Sequence, residues 1–131
     1  MLISSHPLAH EALNGLGTLH LLNTTIIPWR DGLDFTNEGT NIPVADAVAI
    51  HSKYAEKAAV VSHIGHESTA SALTTLLGAP VAYGRASWNG EGIALIFQLK
   101  QRGEEGKVYS AAELATMGAG FRLMRINWTQ A

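Results

Sequence analysis

The sequence predicts an α/β fold, in which a mixed β-sheet of about five strands is flanked by helices within a single domain. Residues 18–22, 81–88, 93–100 and 121–128 have the composition of strands, and residues 59–64 form a further short apolar segment. Two other stretches carry apolar residues at helical spacing, and strands and helices are mixed along the chain. Residues 93–97 show no polar alternation, which predicts a central strand covered on both faces.

The composition sets limits on what the protein does. The chain has 131 residues, of which 47% are apolar and 15% charged, as in a globular domain. It has no cysteine, so disulfides, thiol catalysis and thiolate-bound metal are excluded. The net charge is −2 with only nine Lys and Arg residues, which argues against a protein that coats long nucleic acid.

The chain divides into an N-terminal extension, residues 1–17, and an α/β domain, residues 18–131. The extension holds His6-Pro7, a short helix-compatible run and an Asn14-Gly15 turn signal. No apolar run approaches the ~20 residues that span a bilayer, and no basic residue precedes an apolar stretch at the N-terminus. We therefore expect no membrane association and a cytoplasmic location.

The first half of the domain begins with the strand at 18–22, which ends at Asn23. Residues 24–40 contain Pro28 and two glycines and are predicted to form a loop. The apolar residues within this loop, such as Trp29 and Phe35, predict that it packs on the domain. A helix is predicted over 41–57, with Asn41 as its cap and Pro43 in its first turn. A second helix is predicted over 66–77, ended by Gly78 and a following proline.

The second half is predicted to contain a β-hairpin. Its strands are 81–88 and 93–100, joined through Asn89-Gly90. A charged turn follows at 102–107. The Ser110-Ala-Ala-Glu113 sequence is a capping box that opens a short helix, Gly118 closes that helix, and 121–128 form the last strand.

The stretch Ser-His-Ile-Gly-His-Glu-Ser-Thr-Ala at 62–70 is the strongest candidate for chemistry. Gly65 leads directly into His66, where a helix begins, and Ser68 lies in the first turn. The free backbone N–H groups and the dipole of a helix start favour an anion. An imidazole beside an anion site suits acid–base chemistry on a phosphate ester. The alternative is that His66 only caps the helix.

His63 and His66 also form a His-x-x-His pair. A metal site needs a third ligand, and the sequence supplies no clear one, so we expect neither metal nor other cofactor. His63 lies in an apolar segment, where core or interface histidines are more common.

Other polar residues have both functional and ordinary interpretations. Arg85 is predicted inside an uncharged strand and needs an anionic partner, which a carboxylate of the chain could equally supply. Arg102 and Glu105 follow the central strand, and ligand crevices of α/β sheets form at such strand ends. The alternative is an ordinary solvent-exposed charged turn. Asn23 could simply cap the turn that follows it.

Taken together, these stretches resemble the viral type III anti-CRISPR ring nuclease family, which also has cellular members. The resemblance covers about residues 19–126. It depends on Leu-Leu-Asn at 21–23, Ile-Gly-His-Glu-Ser-Thr at 64–69, Arg85, and Arg-Gly-Glu-Glu-Gly-Lys at 102–107. The two longer motifs are specific only in combination.

The resemblance implies a homodimer that degrades cyclic tetra-adenylate, the second messenger of type III CRISPR systems. By position, His66 matches the catalytic histidine of the family, and Arg85, Arg102 and Glu105 match its other active-site residues. Asn23 matches a ligand-contacting asparagine. The serine that usually follows this asparagine is replaced by Ile26, and Thr24 or Thr25 could take its place.

The residues then suggest a metal-independent reaction in which the ribose 2′-hydroxyl attacks the phosphodiester. His66 would protonate the departing 5′-oxygen, and Arg85 and Arg102 would hold the phosphate. Glu105 would orient an arginine or the ribose. The products would be linear adenylates ending in a 2′,3′-cyclic phosphate. The alternatives are a protein that only sequesters a cyclic nucleotide, a small nucleic-acid-binding regulator, and a nuclease for another ring size.

Overall fold

A five-stranded mixed sheet with helices on one face forms the protein, which confirms the predicted α/β class. The computed structural model describes residues 2–84, 86–104 and 106–130. Within them the helices are α1 (Pro7–Leu13), α2 (Val44–Ala55), α3 (Glu67–Leu77) and α4 (Ala111–Thr116). The strands are β1 (Leu19–Leu22), β2 (Leu33–Ile42), β3 (Val60–Ser62), β4 (Ile93–Gln98) and β5 (Gly120–Gln130).

The strand order is β2-β5-β4-β1-β3. β1 pairs in parallel with β3 and β4, whereas β5 is antiparallel to both β4 and β2. β2 therefore runs in the same direction as the three parallel strands, and all four end at one edge of the sheet. β4 is central, and five of its six residues are buried, as its continuous apolar sequence predicted.

The two faces of the sheet are covered differently. The helix-covered face carries the larger core, in which Leu21, Leu95 and Leu123 of three adjacent strands pack against residues of the helices such as Ile50 and Leu73. The opposite face, which we call the open face, carries a smaller apolar cluster. Its members are Leu22, Trp88, Ala94, Ile96, Met124 and Ile126. Because strand residues alternate between faces, β1, β4 and β5 each contribute to both clusters.

The N-terminal residues pack on the domain. Leu8, Ala9 and Ala12 of α1 are buried in the larger core. The backbone N–H groups of Ile3 and Ser4 each donate to the carboxylate of Asp46 on α2, at 2.8 Å. Asp46 is 1% exposed, so these two hydrogen bonds compensate a buried carboxylate.

Three of the predicted elements differ from those observed. The predicted loop at 24–40 contains most of β2, which forms a ten-residue ladder with β5. The predicted helix at 41–57 begins only at Val44, with Pro43 at its N-cap position and Asn41 in β2. Within the described residues of 81–88 there is no strand, so the hairpin prediction is also wrong.

The Asn89-Gly90 turn serves another purpose. Gly90 has a φ of +88°, and a Cβ there would lie 2.9 Å from the Trp128 ring. The Trp128 indole N–H donates to the carbonyl of Gly90 at 3.1 Å. The glycine is needed for this close approach to β5 rather than for a two-strand turn.

Two local predictions are confirmed. Ser110 and Glu113 form both hydrogen bonds of the capping box, and α3 ends at Gly78, whose φ is +71°. Among the described residues, no helix is both long and apolar enough to cross a membrane.

Candidate functional site

The candidate site lies at the edge where the parallel strands end. β1 is followed by Asn23, β3 leads within four residues to His66, and β4 leads into the loop at 99–109. Ligand crevices of α/β sheets form beyond the carboxyl ends of such strands. The topology therefore brings three separate parts of the sequence to one place.

His66 is the N-cap residue of α3, with an extended backbone (φ −124°, ψ 132°). Its carbonyl accepts the first helical hydrogen bond from Ala70, at 3.1 Å. Its side chain makes no capping hydrogen bond and is exposed. The imidazole therefore lies at the helix start without hydrogen-bonding to the helix, so the His66 side chain does not act as a helix cap.

The His66 cleft is a depression of about 610 Å³ on one side of this residue. Asn23, Gly65 and His66 line it together with apolar side chains of Ile26 and Trp88. On the other side, a second cleft of about 340 Å³ is lined by His66, Ser68, Gly106 and Lys107. His66 therefore separates two concave surfaces, one against β1 and one against the loop after β4.

Ala86, Ser87 and Trp88 form part of the wall of the His66 cleft. Their segment attaches to the β3–α3 connection. The Ser62 hydroxyl donates to the Ala82 carbonyl at 2.6 Å, and the Gly84 N–H donates to the Ile64 carbonyl at 2.7 Å. These bonds replace the strand pairing that the sequence suggested for this segment. They hold it against the residues that precede His66.

Two hydrogen-bonded histidines, His20 and His63, support the same wall of the cleft. His63 Nδ1 lies 2.7 Å from the Ala86 carbonyl, and because a carbonyl only accepts, this nitrogen carries the proton. His63 Nε2 lies 2.9 Å from His20 Nδ1, so in the neutral pair His20 donates to His63. Burial lowers the pKa of His20, the neighbouring His63 lowers it further, and Glu91 opposes this shift.

His63 is therefore a bridging residue rather than a core histidine. Within the described residues, no group of three His, Asp or Glu side chains is arranged to hold a metal ion. The His63–His66 pair is not completed by a third ligand in that part of the chain.

A sequence model of the STIV B116-like family matches residues 19–123. The chain belongs to this family. Among solved structures it is similar to B116 of Sulfolobus turreted icosahedral virus, with 26% identity and a TM-score of 0.70. That match covers 83% of this chain and 99% of B116. The match agrees with the family resemblance found in the sequence. No curated protein matches the chain.

In this member of the STIV B116-like family, some predicted site residues meet and others do not. Asn23, Gly65 and His66 share the His66 cleft, and Ser68 lines the second cleft. Arg102 is exposed in the loop after β4 and lines neither of these clefts, although Lys107 of the same loop lines the second. Arg85 and Glu105 lie outside the described residues.

Thr25 is placed elsewhere on the open face. It faces a third cleft together with Asn41 and Arg122, and its hydroxyl accepts a hydrogen bond from Arg122 Nη1 at 3.3 Å. Thr25, which the sequence offers beside Thr24 as a replacement for the family serine, lies at this third cleft because the chain turns away after β1 toward β2 and β5. Ile26, not Thr25, lines the His66 cleft.

Sequence reasoning missed the roles of His20, Trp88 and Lys107. His20 alternates with buried leucines in β1, which marks it as facing the open side, but its partner His63 is 43 residues away. The sequence places Lys107 in a charged turn and in the motif at 102–107, without a role of its own. Its place beside α3 depends on the course of the loop, which the sequence does not encode locally.

Proposed function

We propose that this protein is a metal-independent ring nuclease that degrades cyclic tetra-adenylate and thereby counteracts or resets type III CRISPR signalling. The observation that carries the proposal is the exposed His66 imidazole at the start of α3, which shares one cleft with Asn23 and Gly65. The sequence resemblance assigns roles to His66 and Asn23. Membership of the STIV B116-like family is consistent with the proposal.

In the proposed reaction the ribose 2′-oxygen attacks the adjacent phosphorus, and the bond from phosphorus to the 5′-oxygen breaks. His66 gives its proton to that departing oxygen, and the 2′-hydroxyl proton passes to solvent. The products are a 2′,3′-cyclic phosphate and a free 5′-hydroxyl. Such a positioned acid contributes about 10²–10⁴-fold to the rate.

The anionic phosphoryl oxygens need donors in this reaction. The first-turn N–H groups of α3, which receive no side-chain cap from His66, favour an anion at the helix start. Lys107 adds a cation beside His66. In the proposal, Arg85 and Arg102 hold the phosphate and Glu105 orients an arginine or the ribose, as the family resemblance implies.

We further propose that the active species is a homodimer. Cyclic tetra-adenylate has a two-fold axis, so a two-fold dimer can offer it two identical half-sites. Two chains also double the nine basic residues available to one ligand. Equilibrium sedimentation and calorimetric titration should then give two chains and one ligand per complex.

The decisive experiment incubates the purified protein with cyclic tetra-adenylate in EDTA and analyses the products by chromatography. We expect linear adenylates with a 2′,3′-cyclic phosphate. Cyclic tri- and hexa-adenylate in parallel reactions give the ring-size preference.

His66→Ala should reduce turnover about 10²–10⁴-fold and retain binding, because the imidazole acts on the leaving oxygen rather than on ligand capture. The matched control is His10→Ala, an exposed histidine of α1 on the helix-covered face, which should retain full activity. If the wild type binds the ring and leaves it intact, the protein is a sequestering protein instead. Equal loss of binding and turnover in His66→Ala would contradict the assigned role.

A further inference from the structure

Arg122 lies on the open face of β5, in a row of paired residues that crosses the sheet. Leu22 pairs with Ile96, Ile96 with Arg122, and Arg122 with Asn41. Its Nε donates to Asn41 Oδ1 at 2.8 Å and its Nη1 to Thr25 Oγ1 at 3.3 Å. These two bonds fix the guanidinium plane, and three of its five N–H donors have no partner among the described residues.

The charge of Arg122 is not neutralised by a carboxylate of the described residues, unlike the charges of two other arginines. Arg125, three positions along the same strand, pairs with Glu38 and Glu11 on the helix-covered face. Arg30 lies 3.8 Å from Glu91. Asn41 and Thr25 orient Arg122, but as neutral groups they leave its full positive charge in place.

The surroundings of Arg122 suit an anion. It faces a cleft of about 330 Å³ that is lined otherwise by uncharged residues, among them Asn37, Gly39 and Thr40. Gly39 leaves the floor of the cleft without a side chain. A fixed guanidinium fork in a polar cleft is the arrangement that recognises phosphate through paired hydrogen bonds.

The Arg122 cleft is connected to the His66 cleft through shared residues. Asn41 also lines a cleft of about 580 Å³ that contains Lys100 and Asn23, and Asn23 in turn lines the His66 cleft. Arg122 is three strands away from β3, which at ~4.8 Å per strand is about 14 Å. One phosphate group cannot contact both Arg122 and His66 across this distance, whereas an oligonucleotide can.

We propose that Arg122 binds a phosphodiester group of the ligand at a subsite remote from His66, with Asn41 and Thr25 as its positioning residues. The chemical class of the ligand is an oligonucleotide with at least two phosphates. Its identity as cyclic tetra-adenylate rests on the proposed function.

The first test measures binding in the His66→Ala background, where turnover does not interfere. Adding Arg122→Gln should weaken the affinity for cyclic tetra-adenylate about 10- to 100-fold, as expected for loss of charge-assisted hydrogen bonds. The slope of log K against log salt concentration should become shallower by about 0.7, the value for one phosphate contact on a single strand. Lys53→Gln, on exposed α2, removes one charge as the control and should change neither quantity.

Asn41→Asp gives a sharper test because it leaves Arg122 in place. The new carboxylate would neutralise the guanidinium at nearly the same geometry, so the affinity should fall while the thermal stability holds or rises. An unchanged affinity in both Arg122→Gln and Asn41→Asp overturns the subsite. A fall in affinity with an unchanged salt slope also overturns it, because the phosphate contact is then missing.

A second probe separates this proposal from the proposed function. The Nε–H resonance of Arg122, assigned with Arg122→Gln, is followed by NMR during titration with linear tetra-adenylate. If cyclic tetra-adenylate does not bind but the linear strand shifts this resonance, the subsite stands and the proposed function fails. If the ring is cleaved and no variant or titration involves Arg122, the function stands and the subsite fails.

Discussion

The two faces of the sheet differ in how their polar side chains are paired. On the helix-covered face, charged groups are paired within the chain: Asp46 accepts two backbone N–H groups, and Arg125 pairs with two carboxylates. On the open face, Arg122 and the His20–His63 pair face clefts, and their partners are neutral. The difference shows that strand alternation separates the internally paired charges from the groups proposed to recognise a ligand, even within the single strand β5.

The largest expected effect on stability comes from the helix-covered face. Leu123 is fully buried there, next in sequence to Arg122. Leu123→Ala should lower the free energy of unfolding by about 2–5 kcal/mol, because it leaves a cavity in the larger core. Arg122→Gln should change it by no more than about 0.5 kcal/mol. Urea denaturation of both variants measures this contrast. Similar losses of unfolding free energy in the two variants would contradict the difference between the two faces.

An intermediate effect is expected at the N-terminal residues. Asp46→Ala should lower the free energy of unfolding by about 1–3 kcal/mol, because two partly buried hydrogen bonds to the carboxylate are lost. Protease should then cut before residue 18 faster than in the wild type, while turnover per folded molecule stays unchanged. Asp34→Ala, at an exposed position of β2, is the control and should behave as the wild type. Lost activity without faster cutting would show that the N-terminal residues contribute to the site.

The smallest expected effect is a pH dependence of stability. Burial lowers the pKa of His51 on the helix-covered face, as burial and His63 lower that of His20 on the open face. A lowered histidine pKa means that the folded state binds fewer protons than the unfolded state. The free energy of unfolding should therefore fall as the pH drops below 6.5, the ordinary histidine value. Stability should recover as the pH rises above that value.

His51→Leu should flatten this dependence and leave the contribution of His20. Urea denaturation between pH 5 and 8 measures both slopes. An unchanged slope in His51→Leu would mean that the buried histidine of α2 is not responsible.

The elements that the sequence predicted well carry strong local signals. β4 is a continuous apolar run, α4 starts at a capping box, and α3 lies between His66 and Gly78. In each case the information lies within a few neighbouring residues. The helix start at His66 was predictable for this reason, and so was its candidate role.

β2 was missed because its sequence is polar and contains Gly39, so its strand character comes from β5 rather than from propensity. The false hairpin has the opposite cause. Asn89-Gly90 is a strong turn signal, but residues 82, 84 and 86 bond to residues 62–64 instead of to β4. A local signal cannot reveal which distant segment accepts the hydrogen bonds.

By itself, the sequence determined the fold class, the central strand and the histidine at the start of α3, because periodicity, capping and glycine conformations act over a few residues. Only the tertiary structure decided that Asn23 lines the same cleft as His66. It also decided that Thr25 hydrogen-bonds to Arg122 and that His20 hydrogen-bonds to His63. These contacts depend on strand order and register, which are set by the packing of the whole sheet.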